Sequence, residues 1–140
     1  MKSKRNTPSL HCFAVLFVML AGIYGCKDEP DLRLFDFEEQ FILRTTEEGS
    51  CRQDNMIIRV INIFDSRCPI GVVCFWQGEA VVGLEIQTDT AFNLTLRSVF
   101  QPADTLYGYV FRLVDVQPYP VNNVNVPASQ KKVILEVSKQ

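Results

Sequence analysis

The chain has 140 residues, with 14 Lys or Arg, 16 Asp or Glu, a single His and 47% hydrophobic residues. A slightly acidic chain without a basic cluster is not built to neutralise a phosphate backbone, which argues against nucleic-acid partners. Five cysteines and one histidine leave little material for metal or acid–base chemistry.

Lys2, Lys4 and Arg5 precede an uncharged apolar run over residues 10–23, and Tyr24-Gly25-Cys26 follows. A basic start, an apolar core of about 14 residues and a small residue before the cut describe a secretory signal, since a spanning helix needs about 20. Ile23-Tyr24-Gly25-Cys26 resembles a bacterial lipobox, with Tyr24 standing where a small residue is usual. The resemblance implies that residues 1–25 are removed and that Cys26 carries a diacylglyceryl thioether and an N-linked acyl chain such as palmitate. Two or three chains make a stable anchor where one is marginal.

His11 and Cys12 leave with the signal, so Cys51, Cys68 and Cys74 remain in an export compartment where disulfides persist. Removing the three basic residues of the signal leaves 11 basic against 16 acidic side chains, a balance of −5. About 115 residues suffice for one core. Residues 26–33 read as a polar tether. Within it, Lys27-Asp28-Glu29 resembles the surface-export signal of Bacteroidota-type lipoproteins, which implies the outer face of the outer membrane. A generic spacer on the periplasmic face is the alternative.

The rest, residues 34–140, reads as strands. Phe35, Phe37, Phe41 and Leu43 share one parity, and Glu47-Glu48-Gly49-Ser50 reads as a turn. Residues 56–64 are β-branched and nearly continuous, as in a strand covered on both faces. Ala80, Val82, Leu84 and Ile86 alternate with Val81, Gly83, Glu85 and Gln87, and Phe92, Leu94 and Leu96 do the same after a turn at residues 88–91. Tyr107, Tyr109, Phe111 and Leu113 share a face, residues 118–127 form a Pro/Asn-rich loop, and Val133, Leu135 and Val137 close the domain after a solvated Lys131-Lys132 start. Short strands with regular turn signals predict an all-β fold, a small antiparallel immunoglobulin-like β-sandwich of about six to eight strands.

Residues 65–78 are the centre of the pattern. Cys68 and Cys74 are six apart, with Pro69 and Gly71 to turn the chain. A local bridge needs no long-range pairing and is favoured, while Cys51–Cys68 and Cys51–Cys74 compete with it. Zinc is disfavoured by three thiols without histidine, and a redox dithiol by the absence of C-x-x-C. Trp76, two residues after Cys74, falls on the face of Cys74 and is placed as a cover for the bridge. Asp65 reads as a turn carboxylate, with Arg67 exposed or ion-paired beside it. The rival reading has a rigid loop displaying Arg67 next to Ile70, Val72 and Val73, as an interface hot spot or a protease-inhibitor-like loop.

Asp65-Ser66-Arg67-Cys68-Pro69, a second cysteine at position 74, then Trp76 and Gly78, is similar to a family of uncharacterised bacterial lipoproteins and small secreted domains. Residues 109–120, a strand leading into Pro118-Tyr119-Pro120, resemble that family's second signature. The resemblance implies a small exported β domain with a local disulfide, and the family has no established activity to carry over. Cys51 departs from the pattern and reads as buried and inert, with a free thiol or a covalent dimer as alternatives.

Asp89-Thr90-Ala91 and Asp104-Thr105-Leu106 resemble the O-glycosylation site of exported Bacteroidota-type proteins, and both fall at predicted turns. No nucleophile–base pair, phosphate loop or cofactor motif is legible, so no catalytic residue, metal or cofactor is assigned. The expected protein is a lipid-anchored envelope module, attached to the membrane through its N-terminal lipid, with a protein or glycan partner. A structural or accessory envelope protein is the runner-up.

Overall fold

A computed structural model of the chain describes residues 31–140. The expected signal segment, Cys26 and the expected tether up to Pro30 lie outside the described residues.

The first strand, β1 (Asp31–Phe35), begins three residues before the expected domain start. The chain then crosses to the other layer, and Phe41 on β2 (Gln40–Leu43) stacks on Phe35 at 4.0 Å between ring centroids. The shared parity of these aromatics therefore describes two strands that face each other across the core.

β3 (Glu47–Cys51) occupies the segment expected to turn. The turn comes earlier. The Glu47 carboxylate, nearly buried, accepts the Arg44 backbone N–H at 3.0 Å and guanidinium N–H groups of Arg44 and Arg33. Gly49 lies over Leu43 and Phe35, where a Cβ would stand 3.2 Å from a Leu43 methyl. Polar composition concealed a strand whose glycine makes room for the core.

β4 (Ile57–Asp65), β5 (Ala80–Gln87) and β6 (Ala91–Arg97) continue this sheet, in the order β1-β3-β4-β5-β6. The second sheet has the order β2-β9-β8-β7, from β7 (Ala103–Leu106), β8 (Tyr109–Gln117) and β9 (Lys132–Lys139). The result is the expected two-layer β-sandwich, built from nine strands. All pairings are antiparallel except β1 with β3, which run parallel in register from Asp31↔Glu47 to Phe35↔Cys51. Strands β3 to β6 and β7 to β9 are two meanders, rather than the crossed Greek key of immunoglobulin domains.

Residues 56–64 do not have both faces covered. Met56, Ile58 and Val60 point into the core, but a β-bulge between Val60 and Asn62 shifts the parity, so Ile61 and Phe64 face solvent. A second bulge, between Leu113 and Asp115 on β8, exposes Val114 and turns Val116 inward. The core joins Leu43, Ile58, Leu84, Ile86 and Leu96 to Phe111, Leu113, Val133, Leu135 and Val137. Cys51 is buried in it as a free thiol, as expected, and this position rules out an accessible dimer-forming cysteine.

Candidate functional site

The β4–β5 connection carries the motif. Its base continues the hairpin: the Ser66 N–H donates to the Glu79 carbonyl at 2.9 Å, and the Cys68 N–H to the Gln77 carbonyl at 2.8 Å. Gly78 has φ +65°, and a Cβ there would lie 1.8 Å from the Ser66 carbonyl oxygen, so only glycine closes the hairpin this way. Cys68 and Cys74 are disulfide-bonded, with Cα atoms 5.9 Å apart.

The β4 bulge gives this base its chemistry. By shifting parity after Val60 it turns Asp65 inward, to 2% side-chain exposure. There Asp65 accepts both Nε–H and Nη2–H of Arg67 at 2.8 Å, a bidentate pair, and the Lys131 ammonium at 2.6 Å. Arg67 is 9% exposed; it also donates to the Val116 carbonyl at 2.6 Å and to Asp115 at 3.3 Å, and its guanidinium lies 4.4 Å from the Tyr119 ring centroid. Two cations face two carboxylates, contributed by strands β4 and β8, the β4–β5 connection and the residue just before β9.

Burial by itself would raise the Asp65 carboxyl, but the Arg67 and Lys131 hydrogen bonds outweigh it and hold it below the usual carboxylate range. Burial likewise opposes the charge on Arg67, and the bonds and charge of Asp65 overcome it and push the guanidinium up. An ion cluster this satisfied is a joint. It is not a reactive centre.

Both displayed-arginine readings are thereby overturned. The Arg67 side chain faces inward to the second sheet, so it neither leads a protease-inhibitor-like loop nor offers an interface hot spot. Lys131, expected in solvent, is buried against Asp65. The joint also brings the two signature segments together, because Arg67 reaches Asp115, Val116 and Tyr119, and the Ile70 N–H donates to the Pro120 carbonyl at 2.9 Å. Nothing in the linear spacing of 48 residues between Arg67 and Asp115 announces that meeting.

Trp76 is also corrected. It does not cover the bridge but lies 62% exposed, with its ring stacked on Phe100 at 6.2 Å between centroids. Alternation fails here because residues 71–79 are not a strand and Gly78 turns in the left-handed region. Arg97 sits over the Phe100 ring and pairs with the buried carboxylate Oε1 of Glu79, whose Oε2 has no hydrogen-bond partner. Val73 and Phe75 are fully exposed, and Pro69 forms the turn whose carbonyl accepts the Val72 N–H. From Cys68 to Gly78 there is no charged side chain.

Thr90 is exposed at the β5–β6 turn, as expected. Thr105 is exposed too, but on strand β7, paired with Val110, and not in a turn. The edge between β1 and β2 holds a depression of about 340 Å³ lined by Arg33, Arg44, Glu47 and Lys132 among others, far from the motif in sequence. Its two arginines are already engaged by Glu47.

No family model, curated protein or solved structure matches this chain.

Proposed function

We propose that this chain is an exported, lipid-anchored cell-envelope protein whose domain works by binding rather than catalysis, with the disulfide loop as its contact surface. The signal-like segment, the lipobox-like Cys26 and the retained disulfide motivate export and anchoring. One observation carries the binding role: Val73, Phe75 and Trp76 stand in solvent on a loop that a disulfide, Gly78 and a buried ion joint all hold rigid. An apolar surface of that kind marks an interaction site, and prior rigidity removes the ordering cost of binding.

The titratable groups support the same reading. Asp65, Arg67, Lys131 and Asp115 satisfy one another, and Cys51 is enclosed in the core, so neither cluster offers a nucleophile beside a free base. Localisation follows the tether: the outer membrane, facing outward if Lys27-Asp28-Glu29 acts as an export signal and the periplasm otherwise.

Two measurements test the proposal. Mass spectrometry of the mature N-terminus is expected to find an acylated Cys26; an unmodified chain retaining residues 1–25 overturns the anchoring. Crosslinking from position 73 in intact cells is expected to capture a contact that Phe75→Ser abolishes while the fold persists. An unchanged pattern overturns the loop as the contact surface and favours the structural role.

A further inference from the structure

The register of the first sheet fixes which way the tip points relative to the chain's start. Asp31 pairs with Glu47, and the next residue, Glu48, pairs with Arg59. From that level β4 runs on to Asp65 and into the disulfide loop. The described chain therefore begins at the end of the sandwich that carries the loop.

The lengths agree as well. Four residues lie between Cys26 and Asp31, and the five steps reach at most about 17 Å at full extension. β4 extends six residues beyond Arg59 to Asp65, roughly 17–20 Å. A lipid on Cys26 can thus reach as far as about the level where the loop begins, which lets anchor and loop meet one membrane surface.

What the loop presents there suits a bilayer. Val73 and Phe75 are fully exposed, Trp76 is mostly exposed and stacks on the exposed Phe100 of the β6–β7 connection, and Phe64 on β4 is exposed as well. No charge from Cys68 to Gly78 would have to leave water. Tryptophan is the side chain best suited to the headgroup level, with an apolar ring and one N–H donor. The charges of the motif are withdrawn into the joint beneath, where Asp65 and Arg67 neutralise each other.

We propose that Val73, Phe75 and Trp76 dock onto the same lipid bilayer that holds the chain's anchor, so that the domain stands on its membrane at two points. This rests on the reading that Cys26 is lipidated. It supplies the partner of the loop: a lipid surface at the interfacial depth. A second copy of the chain and another protein are the competing occupants.

Trp76 is the only tryptophan in the chain and reports on its own surroundings. The full chain, purified with its lipid, is reconstituted into phosphatidylethanolamine–phosphatidylglycerol vesicles with or without brominated acyl chains. The expected result is co-flotation, loss of Trp76 emission in the brominated vesicles and loss of quenching by aqueous acrylamide. Phe75→Asp, checked as folded by circular dichroism, is expected still to float but to regain emission and acrylamide quenching. Flotation with Trp76 open to acrylamide and indifferent to bromine overturns the docking alone. Shielding from acrylamide without bromine quenching also overturns it and assigns the tip to a protein or a second copy. Failure to float, with an unmodified Cys26 by mass, overturns the anchor reading and the docking with it.

Discussion

The base and the tip of the disulfide loop divide the usual roles of charge and apolarity the wrong way round. At the base, Asp65, Arg67 and Lys131 are buried; at the tip, Val73 and Phe75 are wholly in solvent. A few residues apart, one region stabilises the fold and the other contributes almost nothing to it. The difference shows that a single short motif can hold a structural half and a presenting half, separated by one disulfide.

Breaking the base is expected to do the most damage. Arg67→Ala removes the buried guanidinium from Asp115 and the Val116 carbonyl, and leaves Asp65 with Lys131 and the residue-67 backbone N–H. Truncating one partner of a buried ion cluster costs about 3–5 kcal/mol, read as a lower urea midpoint and melting temperature. A loss below about 1 kcal/mol, typical of exposed pairs, would show that the joint does not hold the two sheets together.

Gly78→Ala is expected to rank second. The new methyl would meet the Ser66 carbonyl at 1.8 Å in a left-handed conformation, a strain of at least about 1–3 kcal/mol before any rearrangement. Thermal melting checks it, and an unaffected melt would mean that the hairpin base reopens freely. Replacing Cys68 and Cys74 together by serine removes closure of a seven-residue loop, worth about 2 kcal/mol. The joint predicts that this double variant still folds.

Acid should act through the base as well. The folded fold holds the Asp65 carboxyl below its ordinary value, so its charged form is the stabilised one. Its contribution is complete above the ordinary aspartate value of about 3.9 and is lost as pH falls through the lower folded value. Asp54, half-buried and hydrogen-bonded by the Tyr109 hydroxyl and by Lys139, is lowered to about 2 and acts in the same direction. The urea midpoint is therefore expected to decline below about pH 4, with Asp65→Asn showing a flatter decline than the parent. Equal slopes would remove Asp65 from the pH response.

Tip substitutions should matter least. Phe75→Ser is expected to change stability by no more than about 0.5 kcal/mol. Trp76→Ala loses an exposed ring stack on Phe100, about 0.5–1.5 kcal/mol at most. A larger loss in either melt would mean that the tip carries structural load, and the contrast with the base would collapse.

The alternating residues of β5, β6 and β8 announced half-buried strands, and the short cysteine spacing announced a local bridge. These features depend on periods and separations that a linear chain displays directly. The misreadings have three separate causes. Bulges in β4 and β8 shift the period without any residue that marks them, which re-aims Asp65 and Val116 and exposes Phe64. Lys131 looked solvated beside Lys132 because its partner, Asp65, lies 66 positions away. Trp76 was misplaced by extending a two-residue period through a turn, a point where Gly78 itself gave warning.

The parallel pairing of β1 with β3 has a mechanical meaning. Asp31 through Phe35 lie alongside Glu47 through Cys51 as one ladder, and the preceding chain leaves from the Asp31 end. A pull on that chain along the strand loads all five paired positions in shear, together, instead of peeling them one by one. Phe35, stacked on Phe41 in the opposite sheet, acts as a stop at the far end of the sliding strand. Under a pull from that end, the ladder would yield as a unit, with the load shared over its length.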